Sequence, residues 1–329
     1  MSNSIPTNII SGFLGVGKTT LIRRLLETKP EAERWAVLVN EFGEVGIDGA
    51  LMASDGIAVR EVPGGCMCCS VGLPSRTALK ELIENESPDR ILIEPTGLAH
   101  PAQVVNMFAS PDYDGVLDMR ATVGLVDPWC LNNEQFRKIP AFEEQLNMAD
   151  VLVATKIDCA EEAHLEAFFN YAENLQPERS KVGAISEGEM PWQWLDYPRI
   201  DRSATVQTMA GHHHHGADEE KALEEREGGI QRLQSETEYA HSCGWIFPEG
   251  QLFDLTKLAA LVKELDVPRI KGIFETTSGW HTLNKMRVTV SSGSMEQAPS
   301  EPGSRVEMIH TQAVDWSEIE LALLGCLAN

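Results

Sequence analysis

The chain has 329 residues and 43% hydrophobic content, enough for about two globular domains, each with its own core. Its 27 basic and 50 acidic side chains leave a net charge of −23, which repels a phosphodiester backbone and an anionic bilayer alike, so no nucleic acid and no membrane is expected as a partner. No apolar run reaches the roughly 20 residues that span a bilayer, residues 1–10 lack a basic stretch followed by an apolar core, and seven cysteines are an odd number unlike a secreted disulfide framework, which together predict a cytoplasmic protein.

A short apolar strand at 8–11 runs into Gly12, Phe13, Leu14, Gly15, Val16, Gly17, Lys18, Thr19 and Thr20, the Walker A spacing of Gly, four residues, Gly, Lys and Thr. Such glycines let consecutive backbone N–H groups point at phosphate oxygens, and a helix starting at Lys18 adds its positive N-terminal end. Gly12, Gly15, Val16, Gly17, Lys18, Thr19 and Thr20 are therefore the expected nucleotide-binding run. Lys18 is expected to reach the β- and γ-phosphates as a catalytic group, and Thr19 to offer its hydroxyl to Mg2+. Leu21, Ile22 and Leu25 share one helical face and read as packing.

The strand at 35–39 precedes Asn40, Glu41, Phe42, Gly43, Glu44, Val45, Gly46, Ile47 and Asp48, a polar, Gly-containing loop in the position of a nucleotide-sensing switch. Asp48 is placed to approach Mg2+. Next comes Pro63, Gly64, Gly65, Cys66, Met67, Cys68 and Cys69. Thiolates are soft ligands suited to Zn or Cu(I), and structural zinc sites use four protein ligands. Cys66, Cys68 and Cys69 leave one position open, which lets an incoming ligand bind before the old ones leave; Glu44 is the expected further Zn ligand. The competing reading is a buried cluster of free cysteines, which is also what Cys130, Cys159, Cys243 and Cys326 are expected to be, each in the core.

Ile91, Leu92 and Ile93 read as a buried strand ending in Glu94, Pro95, Thr96 and Gly97. Glu94 is the expected second catalytic residue, holding Mg2+ through water or orienting the attacking water, and the Gly97 N–H is placed to sense the γ-phosphate. The competing role for Glu94 is a cap on a helix entering at Pro101. Strands follow at 121–126 and 151–155, the second ending in Thr155, Lys156, Ile157 and Asp158. This resembles the guanine-specificity motif Asn-Lys-x-Asp, with Thr155 in place of Asn. A carboxylate at Asp158 can accept from both N1–H and the 2-amino group of guanine, whereas adenine offers it an acceptor at N1, and Lys156 belongs to the same base-binding element. With a helix at 161–173 and a loop at Ile185 and Ser186 near the base, residues 1–204 read as an α/β domain with a doubly wound, mostly parallel sheet of the P-loop NTPase kind.

Residues 205–238 lose apolar periodicity and carry His212, His213, His214 and His215 followed by an acidic run, part of it a short helix. They read as a linker, and a His tract of this kind binds transition metals, here as an arm that collects metal for the cysteines. Residues 239–329 read as a smaller C-terminal α+β domain: strands near 244–247, 269–275, 280–290 and 305–310, a helical stripe of Leu255, Leu258, Leu261, Val262 and Leu265, and a last helix capped by Asp315 that buries Ile319, Leu323 and Leu327.

The Walker A run, the Gly65 to Cys69 run, Glu94 to Gly97 and the Lys156/Asp158 pair together resemble the CobW-type metal-chaperone P-loop GTPases, whose superfamily includes the UreG and HypB nickel-insertion GTPases. Residues 37–51 and 63–69 are similar to the zinc-binding YeiR branch, and Cys243, Gly244, Trp245, Ile246 and Phe247 with Arg269, Ile270, Lys271 and Gly272 extend the likeness to a CobW C-terminal-like half. The resemblance implies a slow GTP hydrolase and metallochaperone that uses GTP, Mg2+ and Zn2+, with zinc transfer to a client metalloprotein controlled by hydrolysis to GDP and phosphate. It also implies that nucleotide or metal governs any homo-oligomer. The competing functions are a non-catalytic zinc store or sensor with a vestigial nucleotide site, a small-molecule kinase on the same P-loop, and a chaperone for cobalt or nickel.

Overall fold

The computed structural model describes residues 4–13, 15–39, 58–61, 73–95, 97, 101–137, 139–200, 202, 222–236, 241–286, 289–295, 298–299, 302–310 and 312–328. These fall into two units, one through Arg202 and one from Ala222 onward. In the first, strands β1 (Ile5–Gly12), β2 (Trp35–Val39), β3 (Ala58–Glu61), β4 (Arg90–Glu94), β6 (Val123–Val126), β7 (Val151–Ala154) and β8 (Lys181–Ala184) pair in the order β3-β2-β4-β1-β6-β7-β8, with β5 (Leu117–Met119) beside β1. Every pairing is parallel.

Helices α1 (Lys18–Thr28), α2 (Leu73–Glu86), α3 (Pro101–Phe108), α4 (Pro140–Met148) and α5 (Glu162–Glu173) cover this sheet. Ile9, Leu38 and Ile93 meet Leu79 of α2 and Val104 and Phe108 of α3 in one cluster. The alternate residues Ile10, Val37 and Leu92 are also fully buried, so the central strands are covered on both faces and read as continuous apolar runs. A second cluster joins Phe13, Leu152 and Ala154 to Phe142 and Leu146 of α4 and Phe168 of α5. Strand β3 had no signal beyond Ala58 and Val59, too short an apolar run to stand out.

Beneath the strands' N-terminal ends lies a buried polar anchor. Asp150, fully buried, accepts from the backbone N–H of Thr122 (2.7 Å) and Ile200 (3.0 Å) and from the guanidinium of Arg202 (2.5 Å). Arg202 also donates to Ala149 O at 2.7 Å. Arg179 donates nearby to Asn147 O at 3.1 Å, and burial together with the Arg202 charge lowers its pKa to about 10.

The second unit is an antiparallel sheet of β9 (Ala222–Glu225), β10 (Gln231–Glu236), β11 (His241–Ile246), β12 (Arg269–Thr276), β13 (Gly279–Met286), β14 (Thr289–Ser294) and β15 (Arg305–His310), ordered β14-β13-β12-β15-β11-β10-β9. Helices α6 (Leu255–Glu264) and α7 (Trp316–Leu324) pack Leu258, Val262, Ile319 and Leu323 onto Trp245, Phe274, Val306 and Met308. Asp254 and Asp315 cap them, accepting from Thr256 N at 2.9 Å and Ser317 N at 3.0 Å.

Three expectations change here. The segment expected to be linker and short acidic helix contains β9 and β10, with β9 at the edge of the sheet among the described residues, where a strand needs no continuous apolar run. The run at 280–290 is two strands of a hairpin rather than one. Leu327 lies beyond α7, in a bridge with Phe253.

Candidate functional site

Parallel pairing puts the C-terminal ends of β4, β1, β6 and β7 side by side, so the residues that follow them gather along one edge of the sheet, the usual ligand edge of an open α/β fold. Gly12 closes β1 at φ +147°, and a Cβ there would stand 2.7 Å from Leu125 O and 2.8 Å from Val16 Cγ1, so only glycine fits. Phe13 then turns into the core, edge-on to Phe136 and Phe142, and fixes where the loop begins. Gly17, at φ +107°, is the N-cap of α1, and Leu21 N donates back to Gly17 O at 2.9 Å. Leu21, Ile22 and Leu25 are fully buried, which holds the helix N-terminus and its unsatisfied N–H groups at this edge.

Lys18 is 7% exposed, and its ammonium donates to Gly12 O at 2.9 Å and Phe13 O at 3.5 Å, so the charge sits over the loop itself. Thr19 Oγ1 donates to Glu94 Oε1 at 3.0 Å, and Glu94 is 4% exposed. A hydroxyl and a carboxylate oxygen so close together at the foot of a phosphate-type loop form an oxygen-only donor set suited to a hard cation such as Mg2+. Thr20 is exposed on the outer side of the helix, its carbonyl near Gly188 of the turn after β8. Gly97 is buried, and its carbonyl accepts from Gln145 Nε2 of α4 at 3.0 Å.

At the far end of the edge Lys156 takes a left-handed conformation (φ 55°), with its ammonium 3.6 Å from Asp127 Oδ2. Asp127 directly follows β6, and its other oxygen accepts from Trp129 N at 3.1 Å. Asp158 is exposed, and the Cys159 thiol donates to its Oδ2 at 3.2 Å. Cys159 is itself exposed, against the expectation of a core cysteine, because it ends a one-turn helix on the loop; Cys130, Cys243 and Cys326 are buried as expected. Thr155 is 5% exposed and its hydroxyl donates to Val16 O at 2.8 Å. Ile185 is buried beside Ala154, and Ser186 opens the turn that packs on α1.

Residues 6–182 match the CobW/HypB/UreG nucleotide-binding domain. The chain belongs to that family. It is 38% identical to the zinc chaperone YeiR of Escherichia coli over 97% of both chains. It is 28% identical to the zinc chaperone CobW of Sinorhizobium sp over 82% of this chain and 80% of that one. The Zn(II)-bound YjiA GTPase of E. coli superposes over 98% of this chain and 99% of its own, at TM-score 0.40 and 20% identity.

In this CobW-family chain the structure brings Gly12, Gly15, Val16, Gly17, Lys18, Thr19, Glu94, Gly97, Lys156 and Asp158 to one edge of the sheet. Cys66, Cys68, Cys69, Glu44, Asp48, Thr96 and the tract His212 to His215 lie outside the described residues. Among the described residues no group of three or more His, Cys, Asp and Glu side chains could hold a metal ion, and no helix is long and apolar enough to cross a membrane. Two site neighbours were missed from sequence. Asp127 is signalled only by an Asp-Pro step after an apolar run, an N-cap pattern, and Gln145 by nothing local, since its partner Gly97 is 48 residues away.

Proposed function

We propose that the chain is a zinc-binding GTPase that acts as a metallochaperone, hydrolysing GTP to GDP and phosphate to control Zn2+ transfer to a client metalloprotein in the cytoplasm. The observation that carries the reading is a register: Glu61, Val39 and Glu94 are paired in one row across β3, β2 and β4. The cysteine segment starts after Glu61, the switch segment after Val39, and Glu94 is the acid that meets Thr19. At about 4.8 Å per strand the chain leaves for the cysteines only about 10 Å from the Glu94 backbone. Cys66 is five residues past Glu61, a reach of at most about 18 Å, which supports a coupling of the thiols to the phosphate site through this short stretch of chain.

The backbone N–H groups of Gly15, Val16 and Gly17 and the start of α1 would receive the phosphates, with Thr20 flanking them. Lys18 would swing from its carbonyl partners to the β- and γ-phosphates. Thr19 and Glu94 would hold Mg2+, which when bound neutralises the charge that develops on the phosphate oxygens. Glu94 would also orient the attacking water, and Gly97, held by Gln145, would sense the γ-phosphate. Asp158 and Lys156 would select guanine. Cys66, Cys68 and Cys69, with Glu44, would take Zn2+ as cargo and release it when hydrolysis frees the two segments that leave Val39 and Glu61. The zinc chaperones YeiR and CobW among the relatives favour zinc over cobalt or nickel.

Zinc titrated against a competing chelator tests the coupling: affinity differs about 5- to 150-fold between protein bound to a nonhydrolysable GTP analogue and to GDP. Equal affinities refute it. Lys18→Ala loses zinc transfer and keeps zinc binding; no effect on either supports instead a zinc store or sensor with a vestigial nucleotide site.

A further inference from the structure

Thr155 stands where the guanine motif has Asn, and its surroundings assign it a different task. Its backbone N–H donates to Val126 O at 2.9 Å. Its hydroxyl donates to Val16 O at 2.8 Å, with Val126 O at 3.4 Å on the side, and the residue is 5% exposed. Val16 is 3% exposed and lies in the phosphate loop, against the space that keeps Gly12 a glycine. One side-chain bond thus joins the end of β7 to the phosphate loop across 139 residues of chain.

A threonine hydroxyl has a single proton. Spent on the Val16 carbonyl, it cannot also be offered to the outer edge of a purine, where guanine presents only acceptors, N7 and O6. An asparagine amide has two protons and can serve two acceptors. Accepting the guanine-nucleotide reading of the site, on which this inference rests, we infer that Thr155 is a positioning residue that sets the Asp158 loop against the phosphate loop and makes no contact with N7. Guanine is then chosen at its N1–H and 2-amino edge by Asp158.

The test uses the full chain and displaces a fluorescent GDP with GTP, 7-deaza-GTP, ITP or ATP. The wild type binds 7-deaza-GTP within about twofold of GTP, since no side-chain hydrogen bond to N7 is there to lose. Thr155→Val weakens both by a common factor of about 2- to 10-fold, and Thr155→Ser, which keeps the donor, restores wild-type affinity. A wild-type preference of about fivefold or more for GTP over 7-deaza-GTP overturns the inference, because it means that N7 is read. So does a folded Thr155→Val protein that binds GTP like the wild type; if that variant does not fold, the 7-deaza comparison and Thr155→Ser still decide. Failure of the guanine reading is a separate result: the wild type then fails to prefer GTP over ITP and ATP.

Discussion

Thr19 donates its hydroxyl to Glu94 across 3.0 Å, joining the first turn of α1 to the end of β4 over 75 residues of chain. Glu94→Gln keeps an acceptor for that hydroxyl and removes the charge. Nucleotide affinity is expected to stay within a few-fold, while single-turnover GTP hydrolysis falls by about 10²-fold or more. Wild-type turnover in the variant would remove Glu94 from the chemistry.

Gln145, 2% exposed on α4, holds the Gly97 carbonyl at 3.0 Å. Gln145→Leu preserves the volume and deletes the donor, so the unfolding free energy drops by about 1 to 2 kcal/mol in a urea titration. If Gly97 senses the γ-phosphate, the ratio of zinc affinities between GTP- and GDP-bound protein also shrinks. A variant that loses stability and keeps the full ratio would make Gln145 a packing residue only.

Asp150 is fully buried against Arg202, and Arg179 adds charge to the same pocket. Asp150→Ala strands these cations away from water, and removing one partner of a buried pair costs about 3 to 5 kcal/mol. Chemical denaturation should show that loss for the first unit's transition. A loss under about 1 kcal/mol would mean that water reaches the guanidinium groups.

Cys159 reports on Asp158. As hydrogen-bond acceptor and as a negative charge, Asp158 pushes the Cys159 thiol above its ordinary value. Only the thiolate is alkylated, so at neutral pH the residue reacts more slowly than a free cysteine and speeds up as pH rises. Asp158→Asn removes the negative charge and leaves at most a neutral acceptor, so it accelerates alkylation at a fixed pH near neutrality. Iodoacetamide kinetics resolved by peptide mass measure this, and equal rates in both proteins would show that the thiol does not use the carboxylate in solution.

Local chemistry made much of the first unit legible. Gly12, Gly17 and Lys18 announce their turn because phosphate-type loops need glycine conformations, and the buried strands announce themselves as the unbroken apolar runs 35–39, 91–93 and 151–154. The second unit was less legible at its edge. Acidic β9 looks like linker because an unpaired edge has no apolar requirement, and it is a strand only through its partner β10.

The chain by itself determined which chemical groups are present and in what order: a Walker A run, a polar Gly-containing segment, a thiol run, an acid at a strand end and a Lys-x-Asp loop, each carried by a pattern a few residues long. Only the tertiary structure decided who stands beside whom. Pairing β3-β2-β4-β1 sets Glu61, Val39 and Glu94 in one row, and the β7 end meets the loop after β1 so that Thr155 reaches Val16. Such neighbours are chosen by how buried faces pack between elements far apart in the chain, which no local spacing encodes.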